Sequence, residues 1–347
     1  MVLSILILFL PKTLFLFRFK TMKHSIFPFL IFLFLFSGIR AYSQENNSVE
    51  EKIGRYPKHY KNTSELAQQI ESDFKTDKER AKAAFVWIAL NVSYDTKSVS
   101  KAQHIRFSYR TEAELQTKKR QFRKDLALNT LLKRKALCEG YATLYQEVCS
   151  KMNLECELVP GTARRSVSEI GNTRLASNHT WNAVKIGTNW LLVDATWAAG
   201  SVDFSKMSFT KSYTSAYFGT KPTEFAMKHY PDDPKWLLTT KKLDKNYFSQ
   251  QPMLYPAFMG KNIKLLSPAK GIQSIKRGEG LVFKILNLPQ NTNIAYHFKQ
   301  DKYGQRLKYF RKKDSAIFSI YPDFRGKDEL IIYFNNEPAL GYQIRVK

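Results

Sequence analysis

Cysteine is scarce in this chain: Cys138, Cys149 and Cys156 are all there are in 347 residues, and no two stand in Cys-x-x-Cys spacing. That excludes a disulfide framework and a zinc site built from paired cysteines. Acidic side chains are few as well, 30 against 55 basic ones, and no group of them is suited to calcium. The apolar run from Ser25 to Phe36 falls short of the ~20 residues a spanning helix needs. No nucleic-acid-binding module is recognisable, so the net charge of +25 speaks for anionic surroundings in general and for no specific nucleic acid. What the chain does have is 44% hydrophobic and 14% aromatic content, which describes a globular protein long enough for two domains.

The strongest signal is Ala136-Leu137-Cys138-Glu139-Gly140-Tyr141-Ala142, followed 41 residues later by His179 and 15 after that by Asp194. Tyr141, Ala142, Leu144, Tyr145, Val148, Cys149 and Met152 recur at three- and four-residue spacing, which predicts a helix opening at Cys138 and stopping near Asn153. At a helix N-terminus, free N–H groups and the dipole stabilise a thiolate and lower a cysteine pKa from ~8.5 to roughly 3.5–7.5. The Cys138 N–H is also a candidate oxyanion donor. Gly140 keeps side-chain bulk away from the sulfur, at some cost to the helix.

Asn178 to Ile186, the turn Gly187-Thr188-Asn189, and Trp190 to Trp197 read as strand, turn, strand. Folding that hairpin brings Asp194 within about two cross-strand positions of His179, where it can hold one ring nitrogen and leave the other for Cys138. Trp181, Trp190 and Trp197 are expected to enclose the pair. Cys138, His179 and Asp194 thus have the parts of a thiol nucleophile, its base and the base's orienter.

The order of helix-borne cysteine, His-x-Trp-Asn-x-Val (179–184) and Trp-x-x-Val-Asp-x-Thr-Trp (190–197) resembles the transglutaminase-like superfamily of papain-type thiol enzymes. Leu137 to Ala142 and His229-Tyr230-Pro231-Asp232-Asp233-Pro234-Lys235-Trp236 are similar to its kyphoscoliosis-peptidase and fungal cytokinesis-protein branch. The resemblance covers roughly residues 80 to 240. It implies Cys138 as nucleophile, His179 as general base and acid, Asp194 as the residue fixing the tautomer, and acyl transfer from a peptide or glutamine amide through a thioester. Water as acceptor gives proteolysis or deamidation; an amine gives a cross-link. No metal or organic cofactor is expected, and the partner is a protein or peptide substrate. The alternative is a non-catalytic scaffold of the cell envelope that keeps the fold and binds a peptide in the same cleft.

Met22-Lys23-His24, the apolar run and a small-x-small site at Ala41-Tyr42-Ser43 read as a secretory signal peptide. Residues 1–43 are then an address with an over-long start and Met22 the true start. Such a chain is secreted or periplasmic, with no membrane span once processed; an uncleaved N-terminal anchor facing outward is the alternative. The remaining charge divides evenly, about +10 on residues 44–250 and +10 on 251–347, and is suited to anionic cell-envelope polymers.

Thr63-Ser64-Glu65 reads as a hydroxyl-capped helix start, and Asp77 to Asn91 as a second helix. Residues 97–121 are polar and weakly patterned, a flap or a surface loop. Arg164, Arg165 and Arg174 give the segment Ala163 to Ser177 a basic wall, either facing an acidic partner or simply solvated. Cys149 and Cys156 are either buried thiols or a bridge. From Asn262 on, six short apolar runs separated by Gly, Pro, Asn and Asp predict an all-β sandwich of six or seven strands, and Lys308 to Lys313 reads as a solvated strand edge. The expected fold is therefore α+β: a papain-like transglutaminase core over residues 44–250, then an immunoglobulin-like β-sandwich over 251–347.

Overall fold

The cysteine-bearing helix sits at the centre of a helical layer, with Gly140 to Tyr145, Val148 and Cys149 all buried. The computed structural model describes residues 49–101 and 106–347, and the signal-peptide reading of residues 1–43 lies outside them. Helix α1 (Thr63–Asp73) starts one residue earlier than the hydroxyl signal suggested. Its cap is Asn62, whose side chain accepts from the Glu65 N–H. Helix α2 (Asp77–Asn91) opens with a capping box between Thr76 and Glu79 and buries every residue from Ala81 to Ala89. Nine consecutive buried residues leave that part of the helix surrounded by protein on every side.

Residues 97–121 are not one loop. Glu112 onward belongs to α3 (Glu112–Lys133), which buries only Leu115, Ala127, Thr130 and Leu131. It ends at Arg134 in the left-handed region, φ 49°. Helix α4 (Cys138–Lys151) follows, and Asn153 (φ 58°) lies just past its end, where the sequence placed the stop. Tyr141 Oη donates to the Val92 carbonyl at 2.7 Å and Tyr145 Oη to that of Ala81 at 3.2 Å, tying α4 to both ends of α2. A Cβ on Gly140 would stand 2.6 Å from Ala136 Cβ and 2.7 Å from Thr130 Oγ1. The glycine is what lets α3 and the approach to the cysteine press on the first turn of α4.

Against this layer lies an antiparallel sheet of β1 (Cys156–Ala163), β2 (His179–Ile186), β3 (Asn189–Val193) and β4 (His229–Pro231), in the order β3-β2-β1-β4. The β2–β3 hairpin turns at Gly187, φ 59°, as expected from its turn residues. Its second strand is shorter than expected: it ends at Val193, and Asp194 caps a helical turn, Ala195–Ala199, by accepting from the Trp197 N–H at 3.0 Å. On the other side, a Cβ on Gly161 would come within 2.4 Å of the Tyr230 carbonyl, so β1 can pair with β4 this closely only with glycine there.

The C-terminal region is all β. One sheet has the order β5 (Lys264–Ser267), β7 (Leu281–Leu286), β11 (Ser315–Ile320), β10 (Phe310–Lys312). The other runs β6 (Ile272–Ile275), β13 (Glu337–Val346), β12 (Gly326–Phe334), β8 (Ile294–Phe298), β9 (Gln305–Leu307), with Met253–Leu254 also paired to β13. All six predicted strands are present, joined by β6, β9 and β10, which are largely exposed. Phe283 stacks on Phe318 at 5.0 Å within its sheet and meets Tyr342 of the other at 5.3 Å, so the two inner faces share one core. Strand β10 is the exposed basic edge that Lys308 to Lys313 suggested. Residues 49–347 belong to one compact unit. Arg164 contributes to that: it is fully buried and donates to the carbonyls of Met227, Ser249, Gln251 and Pro252. It is therefore no part of a basic wall. Among the described residues no helix is long and apolar enough to cross a membrane.

Candidate active site

Cys138 is the first residue of α4, and its N-cap, Leu137, offers no side chain to the N–H groups of the first turn. Those donors and the positive end of a 14-residue helix are left for a negative charge at the sulfur. Across from it, His179 opens β2. Asn182 on the same strand donates to the Ala142 carbonyl of α4 at 3.0 Å and to that of Glu157 on β1 at 3.3 Å, so one buried amide fastens the strand to the helix.

His179 Nε2 lies 2.8 Å from Asp194 Oδ2. The other ring nitrogen is left for the thiol, and the His179 ring and the Thr180 backbone both favour that thiol's charged form. Burial pushes the Cys138 thiol up, but the His179 hydrogen bond and charge, with the Thr180 N–H, outweigh it and hold the pKa below a thiol's ordinary value. Burial likewise works against a charged His179; the Asp194 carboxylate and the thiolate overcome this and raise its pKa to about 10. Asp194, 1% exposed, is held well below the usual carboxylate range, because its two histidine partners outweigh burial. The three groups favour a thiolate, an imidazolium and a carboxylate at neutral pH.

The second of those partners is His229 on β4, which entered the sequence reading only as part of a motif of resemblance and was given no role at the site. Its Nε2 lies 3.0 Å from the same Asp194 Oδ2. Burial drives its pKa down to about 4, against the pull of Asp194, so the ring is neutral. The signal available in the sequence was the short motif His229-Tyr230-Pro231, a histidine inside a strand-length segment. Donor atoms of His179, Asp194 and His229 fall within 4.8 Å of one another, a grouping of the kind that takes a divalent ion. The 2.8 and 3.0 Å contacts, however, are hydrogen bonds that already engage the carboxylate.

Two of the three expected tryptophans enclose the site: Trp181 stacks on His179 at 6.1 Å and Trp197 lies 5.5 Å from it. Trp190 does not. It pairs across the hairpin with Lys185 and packs edge-on against Trp236 at 5.0 Å, away from the histidine. Lys228, 4% exposed, sits over Trp197 at 4.1 Å and Tyr255 at 4.8 Å, and burial brings its pKa down to about 7. Cys149 and Cys156 are buried free thiols, and Cys156 Sγ lies 3.7 Å from Asn182 Nδ2. His297 is an ordinary strand residue bonded to the Asp301 carbonyl at 2.9 Å.

Residues 64–195 match the model of the transglutaminase-like superfamily. Over 270 residues the chain is 27% identical to kyphoscoliosis peptidase of Homo sapiens, a match covering 78% of this chain and 38% of that protein. The Mus musculus protein of the same name is 26% identical over 271 residues with the same coverage. Hillarin of Drosophila melanogaster is 25% identical over 210 residues, 57% of this chain and 23% of hillarin. The chain thus spans about two-fifths of the length of the kyphoscoliosis peptidases it matches. A solved TGase shares 19% identity over 39% of this chain and 31% of its own, with a TM-score of 0.27. By the superfamily match and these curated relatives, the chain carries a transglutaminase-like domain.

Proposed function

We propose that this protein is an acyl-transfer enzyme that attacks a peptide or glutamine amide with the Cys138 thiolate. The observation that carries the reading is the 2.8 Å hydrogen bond between His179 and Asp194 together with a sulfur at an uncapped helix N-terminus, whose thiolate the His179 ring favours. The sulfur adds to the amide carbonyl, forming a C–S bond and an oxyanion that the Cys138 N–H can receive. His179 gives its proton to the amine as the C–N bond breaks, leaving a thioester. Water or a primary amine then adds, returning a proton to His179, and the C–S bond breaks to restore the thiolate. Asp194 keeps the imidazole oriented throughout.

In the same reading the chain is exported by residues 22–43. Residues 44–250 do the chemistry, and the C-terminal sheets, as an immunoglobulin-like module, dock the enzyme to its substrate or to anionic envelope polymers. The test is mass spectrometry of the protein incubated with a glutamine-bearing peptide and a primary amine. Gain of the amine identifies transfer, cleavage identifies a peptidase, and loss of ammonia alone identifies a deamidase. No covalent change to the peptide overturns the reading and leaves a binding scaffold.

A further inference from the structure

The reaction just described leaves the buried His229 unused. The His229 side chain is wholly buried, stacked on Phe225 at 4.1 Å and packed against Trp197 at 4.5 Å. Its Nδ1 has no hydrogen-bond partner. A neutral imidazole carries one N–H, and a bond to a carboxylate requires a donor, so the proton belongs on Nε2 and the Nδ1 lone pair faces hydrocarbon. Leaving such an atom unpaired is a cost that a purely apolar ring at this place would avoid. The bond to Asp194 is what the histidine adds.

Asp194 needs that bond for a geometric reason. Its Oδ1 is taken by the Trp197 N–H at 3.0 Å, so Oδ2 is the oxygen that serves His179. A second donor converging on Oδ2 at 3.0 Å from another strand fixes that atom from two directions. We propose that His229 is a positioning residue: as a neutral Nε2–H donor held between aromatic rings, it fixes the Asp194 oxygen that orients His179 toward Cys138. This rests on the thiol-enzyme reading above.

The other ionisable groups around this line leave the assignment intact. Tyr94, Tyr141 and Tyr217 face Asp194, and burial raises all three above the usual phenol range, so they stay neutral. Lys228 and the charged His179 both oppose protonation of His229, and Arg164 opposes that of Lys228. Arg165 faces Tyr94.

The test uses the full chain and the pH profile of Cys138 alkylation by iodoacetamide, read on the Cys138 peptide by mass spectrometry. His229→Phe keeps a ring in the stack and removes the donor. Its alkylation at pH 6 is expected to fall about tenfold, with the profile displaced toward that of an ordinary thiol. His229→Gln retains an N–H donor and is expected to stay within about threefold of the wild type. An unchanged profile in His229→Phe, or equal losses in both variants, overturns the proposal. A wild-type profile centred at the ordinary ~8.5 instead removes the thiol-enzyme reading and this inference with it, a distinct result. Should His229→Phe fail to fold, ring ¹⁵N shifts of the wild type decide: a neutral His229 protonated on Nε2 supports the assignment, and a proton on Nδ1 overturns it.

Discussion

The two halves of this molecule bury different things. Among the described residues, every buried charged or imidazole side chain lies before residue 230: Lys82, Arg164, His179, Asp194, Lys228 and His229. Beyond Gln251 the buried polar side chains are only Thr292 and Ser315, and the two sheets meet through Phe283, Phe318 and Tyr342. Burying charge is costly unless each group is paired, and three of these six, His179, Asp194 and His229, converge on one carboxylate oxygen, a concentration that points to use. The C-terminal core follows the alternation of its strands; the helix-and-sheet part departs from the apolar rule where Cys138, His179 and Asp194 meet.

The largest expected effect tests that contrast at its centre. Cys138→Ser should lower acyl transfer at least about 10⁴-fold while leaving the denaturant midpoint unchanged, measured by product formation and by chemical unfolding. Phe283→Ala should do the reverse: a loss of about 3–5 kcal/mol in unfolding free energy, with the Cys138 alkylation profile of the folded protein preserved. A changed profile would mean the two halves are not separable in this way.

The pH dependence of stability is the third expectation. His229, at about 4 in the fold against its ordinary 6.5, contributes stability present above 6.5 and lost as pH falls toward 4. His179, at about 10, contributes stability present below 6.5 and lost as pH rises through 10. Thermal unfolding should therefore show a maximum near pH 6.5, with slopes of up to about 1.4 kcal/mol per pH unit for each group. His229→Phe should flatten the acid side. Smallest of all, Lys312→Ala on the exposed edge strand β10 should change unfolding free energy by less than about 0.5 kcal/mol.

The parts legible in the sequence were those with a strong local period. Helix α4 shows its apolar face, the β2–β3 hairpin its turn, and the C-terminal strands their short apolar runs. Helix α3 was not legible because a helix burying four of 22 residues has no stripe to detect, although its Glu, Lys, Gln and Arg are good helix formers. The buried Arg164 was hidden for a different reason: its carbonyl partners lie 63 to 88 residues away, and arginine in a loop ordinarily points to water. His229 likewise meets Asp194 across 35 residues, through a strand pairing that no local pattern announces. Asp194 was read as a strand residue; its side chain ends the strand by capping the next turn, a competition between side chain and backbone that short polar residues often win.

The close approach at Gly161 sets the gauge of this assembly. With bare backbone between β1 and the Tyr230 carbonyl, the strand bearing His229 lies nearer its neighbour than a side chain at position 161 would allow. A single methyl there would act as a wedge under that strand and lift the imidazole away from its carboxylate, with no chemically reactive atom altered. The fine adjustment of this thiol centre therefore resides partly in a residue that has no side chain at all.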